Sequence, residues 1–395
     1  METLKFLMPS TFYPPHHVGG DATHVKYLAD ALSKEGHDVC VFYNLDAYKI
    51  KNRIMPSIEN VKIKTIKNES FMNFTPYWVH TFGNYRPMLK RYKTIIDEMN
   101  PDVIHNHNIS LLGYGLLEKR FDYANLYTAH DYWLICQRND LFKNGKVCYN
   151  KSCFSCSFKS KRPYQYWRNS SKFKKTISNI DLTIMPSNYM KNRILDELSI
   201  NALTIPNFVP EPPSKIEDSG YSNYFLFVGS LEVHKGILEL LEVFENNKHD
   251  IDSKLLIIGT GTLESYIKTF IRSKNLEDLI IFIGWKNHDE IYPFYKDAQA
   301  LIIPSIWSEN APLVTLESLS VGTPIIGSNR GGIPEILAKV DDKLIFDAED
   351  FNSLAKLLKE YDKTHYPEKK VLKIYEKEFS IGVYLEKYLK AINEL

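Results

Sequence analysis

No stretch of this 395-residue chain approaches the roughly 18 to 20 consecutive apolar residues that a membrane-spanning helix needs, so a transmembrane span is not expected. Net charge is nearly missing too. The 49 lysines and arginines face 48 aspartates and glutamates, a formal balance of +1. That balance argues against a globally basic nucleic-acid binder while leaving room for a local patch. The opening "METLKFLMPSTFYPP" makes a poor signal peptide, with one lysine and an apolar run broken by Pro9, and reads as the first strand of a cytoplasmic protein. No short internal repeat or low-complexity tract occurs. What the chain does have is 44% hydrophobic and 13% aromatic residues, enough to build the cores of two ordinary domains.

The apolar pattern alternates between strand-like and helix-like stretches. "LKFLM" is followed by a loop containing Gly19 and Gly20, then by a helix with Val25, Leu28, Ala29 and Leu32 on one face, ended by Gly36. The runs "DVIHNH", "NLYTAHD" and "DLTIMPS" each end in polar residues, as parallel strands do where their carboxyl ends open on a site. A second series begins near residue 223 with "YFLFVGS", "KLLIIGTG", "LIIFIGW", "ALIIPS" and "TPIIGS", separated by helical patterns. The proline-rich "IPNFVPEPPSKIEDSGYS" is the best linker. The expectation is an α/β chain of two Rossmann-like, doubly wound parallel-sheet domains facing a central cleft. Residues 1–206 form the first, 207–222 the linker and 223–379 the second.

"SENAPLVTLE", residues 308–317, places Glu309 and Glu317 at either end of an apolar turn. In one unbroken helix they would stand about 12 Å apart. Pro312 instead predicts a loop over 308–311 and a helix over 312–321, with Glu309 before the helix start and Glu317 on its second turn. The backbone amides at the helix start suit a phosphate. Carboxylates for polyhydroxyl groups on either side of a phosphate seat match a nucleotide-sugar.

"GW", "SENAPLVTLESLSVGTPII" and "GGIPE" in order, with Gly19-Gly20, "AHD" at 129–131, "GSLEVHKG" at 229–236 and "GTGTLE" at 259–264, closely resemble retaining glycosyltransferases of family 4, which have the GT-B fold. The resemblance extends over nearly the whole chain. It implies that Glu309 contacts the donor sugar, Glu317 the ribose, Lys235 the diphosphate, and His130 the sugar near the reaction centre. It likewise implies donor-binding roles for Gly19, Gly20, Ser230, Gly261, Trp285, Asn310, Ala311, Leu313 and Val314, and a C-terminal helix, 380–395, that crosses back onto the first domain. Many family members carry arginine after the strand glycine where this chain has Ser230, so one cation of the expected pair is missing. Asp131 either orients the His130 ring or caps the following segment. "GTGTLE" has Glu264 in place of the third glycine of a dinucleotide fingerprint, which disfavours a dehydrogenase.

The implied activity is transfer of a sugar from a nucleoside-diphosphate donor to an acceptor hydroxyl with retention of configuration, in glycan, glycolipid or cell-surface polysaccharide synthesis. No cofactor is required for catalysis, and the acceptor is a glycan or a lipid-linked molecule. A nucleotide-sugar epimerase and a non-catalytic nucleotide-sugar binder are the alternatives. Two features lie outside this scheme. Of five cysteines, Cys136, Cys148, Cys153 and Cys156 fall within 21 residues, a spacing compatible with a structural zinc site but also with reduced thiols or redox chemistry. "KSKRPYQYWRNSSKFKK", 159–175, holds seven basic and no acidic residues among Tyr164, Tyr166, Trp167 and Phe173. That mixture fits an anionic membrane surface, on the inner face for a cytoplasmic protein, and equally a solvated basic face with aromatics in the core; nucleic acid is the less favoured partner.

Overall fold

The computed structural model describes residues 3–17, 19–51, 63–70, 73–119, 122–143 and 145–395. The chain divides into two compact units, one of Met1–Lys143, Cys148–Ile205 and Glu386–Leu395, the other of Asn144–Val147 and Pro206–Leu385.

The strands of the first unit are β1 (Lys5–Ser10), β2 (Asp38–Asn44), β3 (Lys64–Asn68), β4 (Val103–Asn106) and β5 (Ala124–Thr128), then, after two-residue strands β6 (Phe142–Lys143) and β7 (Lys146–Val147) outside the sheet, β8 (Leu182–Met185) and β9 (Ala202–Thr204). They form a seven-stranded parallel sheet in the order β3-β2-β1-β4-β5-β8-β9. The reversal of direction at β1 and β4 is the switch point at which doubly wound sheets bind ligands, outside the strands' carboxyl ends. The helix Gly20–Lys34 follows β1, and Val25, Leu28, Ala29 and Leu32 are fully buried, as their spacing predicts.

The second unit is a six-stranded parallel sheet, β12-β11-β10-β13-β14-β15, with β10 Tyr224–Val228, β11 Lys254–Ile258, β12 Ile280–Gly284, β13 Leu301–Ile303, β14 Ile325–Ser328 and β15 Ile345–Phe346. All five residues of β10 are buried, as a central strand covered on both faces requires. Its order also reverses, at β10 and β13, and the loops after these two strands carry Lys235 and Glu309. Proline 312 is the N-cap, with extended backbone, of the helix Leu313–Ser320, so that helix starts one residue later than the sequence predicts. Lys235 ends a 3-10 turn, Val233–Lys235, and Gly236 caps the following helix Ile237–Asn246.

Candidate functional site

In the second unit, Lys235 and Glu309 form one ion pair. Lys235 Nζ donates to Glu309 Oε1 at 2.6 Å, and Ser305 Oγ donates to the same oxygen at 2.8 Å. The Glu309 side chain is 8% exposed and that of Lys235 22%. Burial raises the Glu309 pKa, but the Lys235 charge and these hydrogen bonds outweigh it and hold the carboxyl below its usual range. The Lys235 ammonium also lies 5.4 Å from the centre of the Trp307 ring. Sequence reasoning gives the two residues separate ligands; the fold makes them partners.

Backbone contacts explain how the pair is held. Gly236 has φ +71°, and a Cβ there would stand 1.8 Å from the Pro304 carbonyl oxygen. Gly331 has φ +63°, and a Cβ there would stand 2.0 Å from the Glu309 carbonyl oxygen. Only glycine combines that backbone with that proximity. Ile306 N donates to His234 O at 3.1 Å and Gly332 N to Glu309 O at 2.7 Å, so the Lys235 turn, the Glu309 loop and the "GG" turn are laced together by main chain. Asn310 lies in the same loop, and the Ala311 carbonyl accepts from Asn207 Nδ2 at 3.1 Å. Leu313 and Val314 supply the first amides of the next helix, which have no intrahelical partner.

Glu317, on the second turn of that helix, is likewise buried. Its Oε2 accepts from Tyr295 OH at 2.8 Å and its Oε1 from His288 Nε2 at 3.2 Å. Burial lowers the His288 pKa, but the hydrogen bond and charge of Glu317, with those of Asp289, outweigh it and leave it raised. Elsewhere in the second unit, Ser230 lies exposed beyond β10, Trp285 is exposed after β12, and Gly261 packs so tightly that a Cβ would meet the Leu231 carbonyl oxygen at 2.5 Å.

In the first unit, Gly19 precedes the first helix with φ +89°, and Gly20 begins it. His130, half-buried, follows β5 and packs against the buried His107 and His24, neighbours that sequence reasoning missed. His107 Nδ1 and His130 Nε2 are 3.1 Å apart, their rings stack at 5.3 Å, and His24 meets His130 edge-on at 5.1 Å. Burial pushes the His130 pKa down to about 4, so the ring is neutral at neutral pH. Asp131 does not hold that ring through any such bond. Its Oδ1 accepts from Trp133 N at 2.8 Å, the capping alternative, and burial raises its pKa to about 7.

Cys136, Cys148, Cys153 and Cys156 line one small cavity, together with Arg138 and Lys151. All are free thiols, and burial and the neighbouring cysteines raise the pKa values of Cys148 and Cys153. Among the described residues no three histidine, cysteine or acidic side chains are gathered closely enough to hold a metal as they stand.

Residues 211–377 match the model of the glycosyl transferases group 1 family, and residues 18–211 that of Glycosyltransferase Family 4. The chain is 25% identical over 356 residues, 90% of its length and 87% of the relative's, to an uncharacterised glycosyltransferase of Methanocaldococcus jannaschii. It is 23% identical to the glycogen synthase of Mycobacterium tuberculosis, covering 84% of this chain and 80% of that one. Among solved structures it resembles sucrose-phosphate synthase from Thermosynechococcus elongatus, with a TM-score of 0.73 and 18% identity over 99% of this chain and 100% of that one. It also resembles an Anabaena protein solved in complex with UDP, at a TM-score of 0.68 and 13% identity over the full length of both. With the two domain models meeting at residue 211 and together spanning most of the chain, and with the fold shared with the solved structures, the chain is a glycosyltransferase with the GT-B fold.

Proposed function

We propose that the enzyme transfers a hexose from a nucleoside-diphosphate sugar to an acceptor hydroxyl with retention of configuration, in the synthesis of a glycan, glycolipid or cell-surface polysaccharide. The observation that carries this reading is the Lys235–Glu309 pair, locked by main-chain contacts beside the free amides of a helix start. Together these supply a fixed cation and backbone dipoles for a departing diphosphate, and a carboxylate for sugar hydroxyls. Lys235 would shift its charge from Glu309 toward the phosphate oxygens, freeing the carboxylate for the sugar. Glu317, oriented by Tyr295 and His288, would accept from the ribose hydroxyls, and neutral His130 would hydrogen-bond the sugar. The acceptor oxygen would attack on the face that the diphosphate leaves, and its proton would pass to the departing phosphate oxygen. Positive groups on the protein replace a divalent metal in this scheme.

Starch synthase IV of Arabidopsis thaliana was solved with ADP, and the Anabaena protein with UDP, which supports a diphosphate seat but no single base. A thermal-shift screen of UDP-, GDP-, ADP- and dTDP-sugars should identify the donor, since a ligand that binds the native state raises its apparent stability. Product NMR with that donor then tests the chemistry. A glycoside of the donor's own anomeric configuration is expected. Conversion of the donor to an isomer without acceptor would indicate an epimerase, and binding without turnover a non-catalytic protein.

A further inference from the structure

The helix Thr75–Phe82 is built inside out. It buries Thr75, Pro76 and Val79, while Tyr77, Trp78 and Phe82 face solvent at 60%, 47% and 54% exposure. Phe74, just before it, is exposed as well. Trp78 and Phe82 pack on each other with ring centres 4.6 Å apart. The helix is fastened through His80 to the segment 163–167: His80 Nδ1 meets Gln165 Nε2 at 3.0 Å, and Trp167 Nε1 donates to the His80 carbonyl at 3.1 Å. From that segment a chain of rings continues, Tyr166 to Tyr164 at 4.8 Å and Tyr164 to Phe154 at 5.6 Å. Tyr166, Phe154 and Phe158 are 70%, 65% and 81% exposed. A soluble surface seldom collects so many large rings without a partner.

The charge of the two segments that carry these rings decides what that partner is. Residues 70–96 and 141–180 contain no aspartate or glutamate, against four and ten lysines and arginines, whereas the rest of the chain has 35 basic and 48 acidic residues. Lys90, Arg91, Lys159, Lys161, Arg162, Lys174 and Lys175 are exposed. The geometry points to this aromatic, basic face as a docking surface for an anionic lipid bilayer, with the rings entering the headgroup boundary and the cations facing acidic headgroups. A second copy of the chain fits poorly, because a two-fold interface would set this basic face against itself.

The surface is not the one that the segment 159–175 suggests by itself. Phe173 is buried, Trp167 is half-buried, and the Arg168 guanidinium is enclosed, 4.7 Å from the Trp167 ring centre and 5.3 Å from that of Trp133. Those three belong to the core. The helix Thr75–Phe82, from a distant part of the sequence, supplies rings in their place.

Sedimentation of the full chain with vesicles of phosphatidylcholine alone and of phosphatidylcholine mixed with phosphatidylglycerol tests the inference, independently of transferase activity. Wild type should bind the anionic vesicles, less so at high salt, and the neutral ones weakly. Trp78→Ser with Phe82→Ser, at unchanged Tm, should lower anionic partitioning by about tenfold or more, since tenfold needs only about 1.4 kcal/mol. Neutralising Lys159, Lys161, Lys174 and Lys175 to glutamine should abolish the preference for anionic lipid. Three results would overturn the inference: no vesicle binding by wild type, unchanged binding in the aromatic variant, or lipid-free dimers that the aromatic variant dissolves. Binding of a single-stranded oligonucleotide without vesicle binding would assign the surface to nucleic acid instead.

Discussion

Lys235 and Glu309 should behave as one unit in a double-mutant cycle. At 2.6 Å and an effective dielectric of about 20, their gross attraction is about 6 kcal/mol. Desolvation offsets much of this, yet breaking a buried pair by removing one member typically costs about 3–5 kcal/mol, because the other charge is left stranded. Lys235→Met leaves the Glu309 carboxylate with Ser305 as a neutral donor, and a loss of about 3 kcal/mol is expected. Glu309→Gln keeps an oxygen for both donors, and Lys235 is open enough to gain some water, so about 1–2 kcal/mol is expected. The double variant strands no charge and should lose less than the sum, by about 1–3 kcal/mol. The assay is thermal unfolding of the full-length chain without ligand, in which 1 kcal/mol moves the Tm of a domain this size by about 2–4 °C. Additive losses, within about 0.5 kcal/mol, would show that the pair does not couple and would refute the account of how Glu309 is kept ionised.

The two glutamates should separate in steady-state kinetics: Glu309→Gln lowers kcat strongly, whereas Glu317→Gln chiefly raises the donor KM if donor binding is at equilibrium; wild-type kcat in Glu309→Gln would contradict its assignment. The raised folded-state pKa of His288 makes the His288–Glu317 contribution complete below the usual histidine pKa of about 6.5 and lost as pH rises through the higher folded value. The stability gap between wild type and Glu317→Gln should therefore shrink across that window, and a gap independent of pH would remove the charged pair. Asp131, raised to about 7, binds its proton more tightly folded than unfolded, so its contribution declines from about pH 4 to pH 7. Asp131→Asn should thus gain on wild type by about 2–3 kcal/mol between pH 5 and pH 8; constancy of that difference in urea melts would count against a buried protonated carboxyl. We also propose that the four clustered cysteines bind one structural zinc, which would have to draw their sulfurs together. Metal analysis of protein purified without added zinc should give close to one ion per chain, and none, with all four thiols titratable in the folded protein, would dismiss it.

How much of this was legible in the sequence depends on the range of the interaction involved. The first helix could be read because its buried face repeats at a local period, and Val25, Leu28, Ala29 and Leu32 needed no distant partner to identify them. The Glu309 loop and its helix could be placed to within one residue because Pro312 constrains its own backbone and that of Ala311. Neither signal reports what the side chains touch. Lys235 and Glu309 are 74 positions apart, and their pairing depends on two glycines that let the backbones of separate loops meet. His288 and Tyr295 carry no motif of their own and matter only because a helix sets them against Glu317.

The same distinction accounts for what the aromatic segment left open. A run of basic and aromatic residues gives composition but not direction, so Trp167 and Phe173 looked as available as Tyr166. The fold turns Trp167 and Phe173 inward around Arg168, whose guanidinium is accommodated by ring faces and by the Trp133 carbonyl. In the helix Thr75–Phe82 the opposite happens. Its apolar residues imply a buried element by pattern, yet two small residues and one valine satisfy the core, and the large rings are left outside. Hydrophobic burial alone would select the reverse arrangement, because each half-exposed ring forfeits part of the about 1.5–3 kcal/mol that full burial would supply. An outward aromatic face is thus a cost to the isolated fold that a partner surface can recover, and the excess of lysine and arginine in the two segments that carry the rings gives the sign of charge that the partner carries.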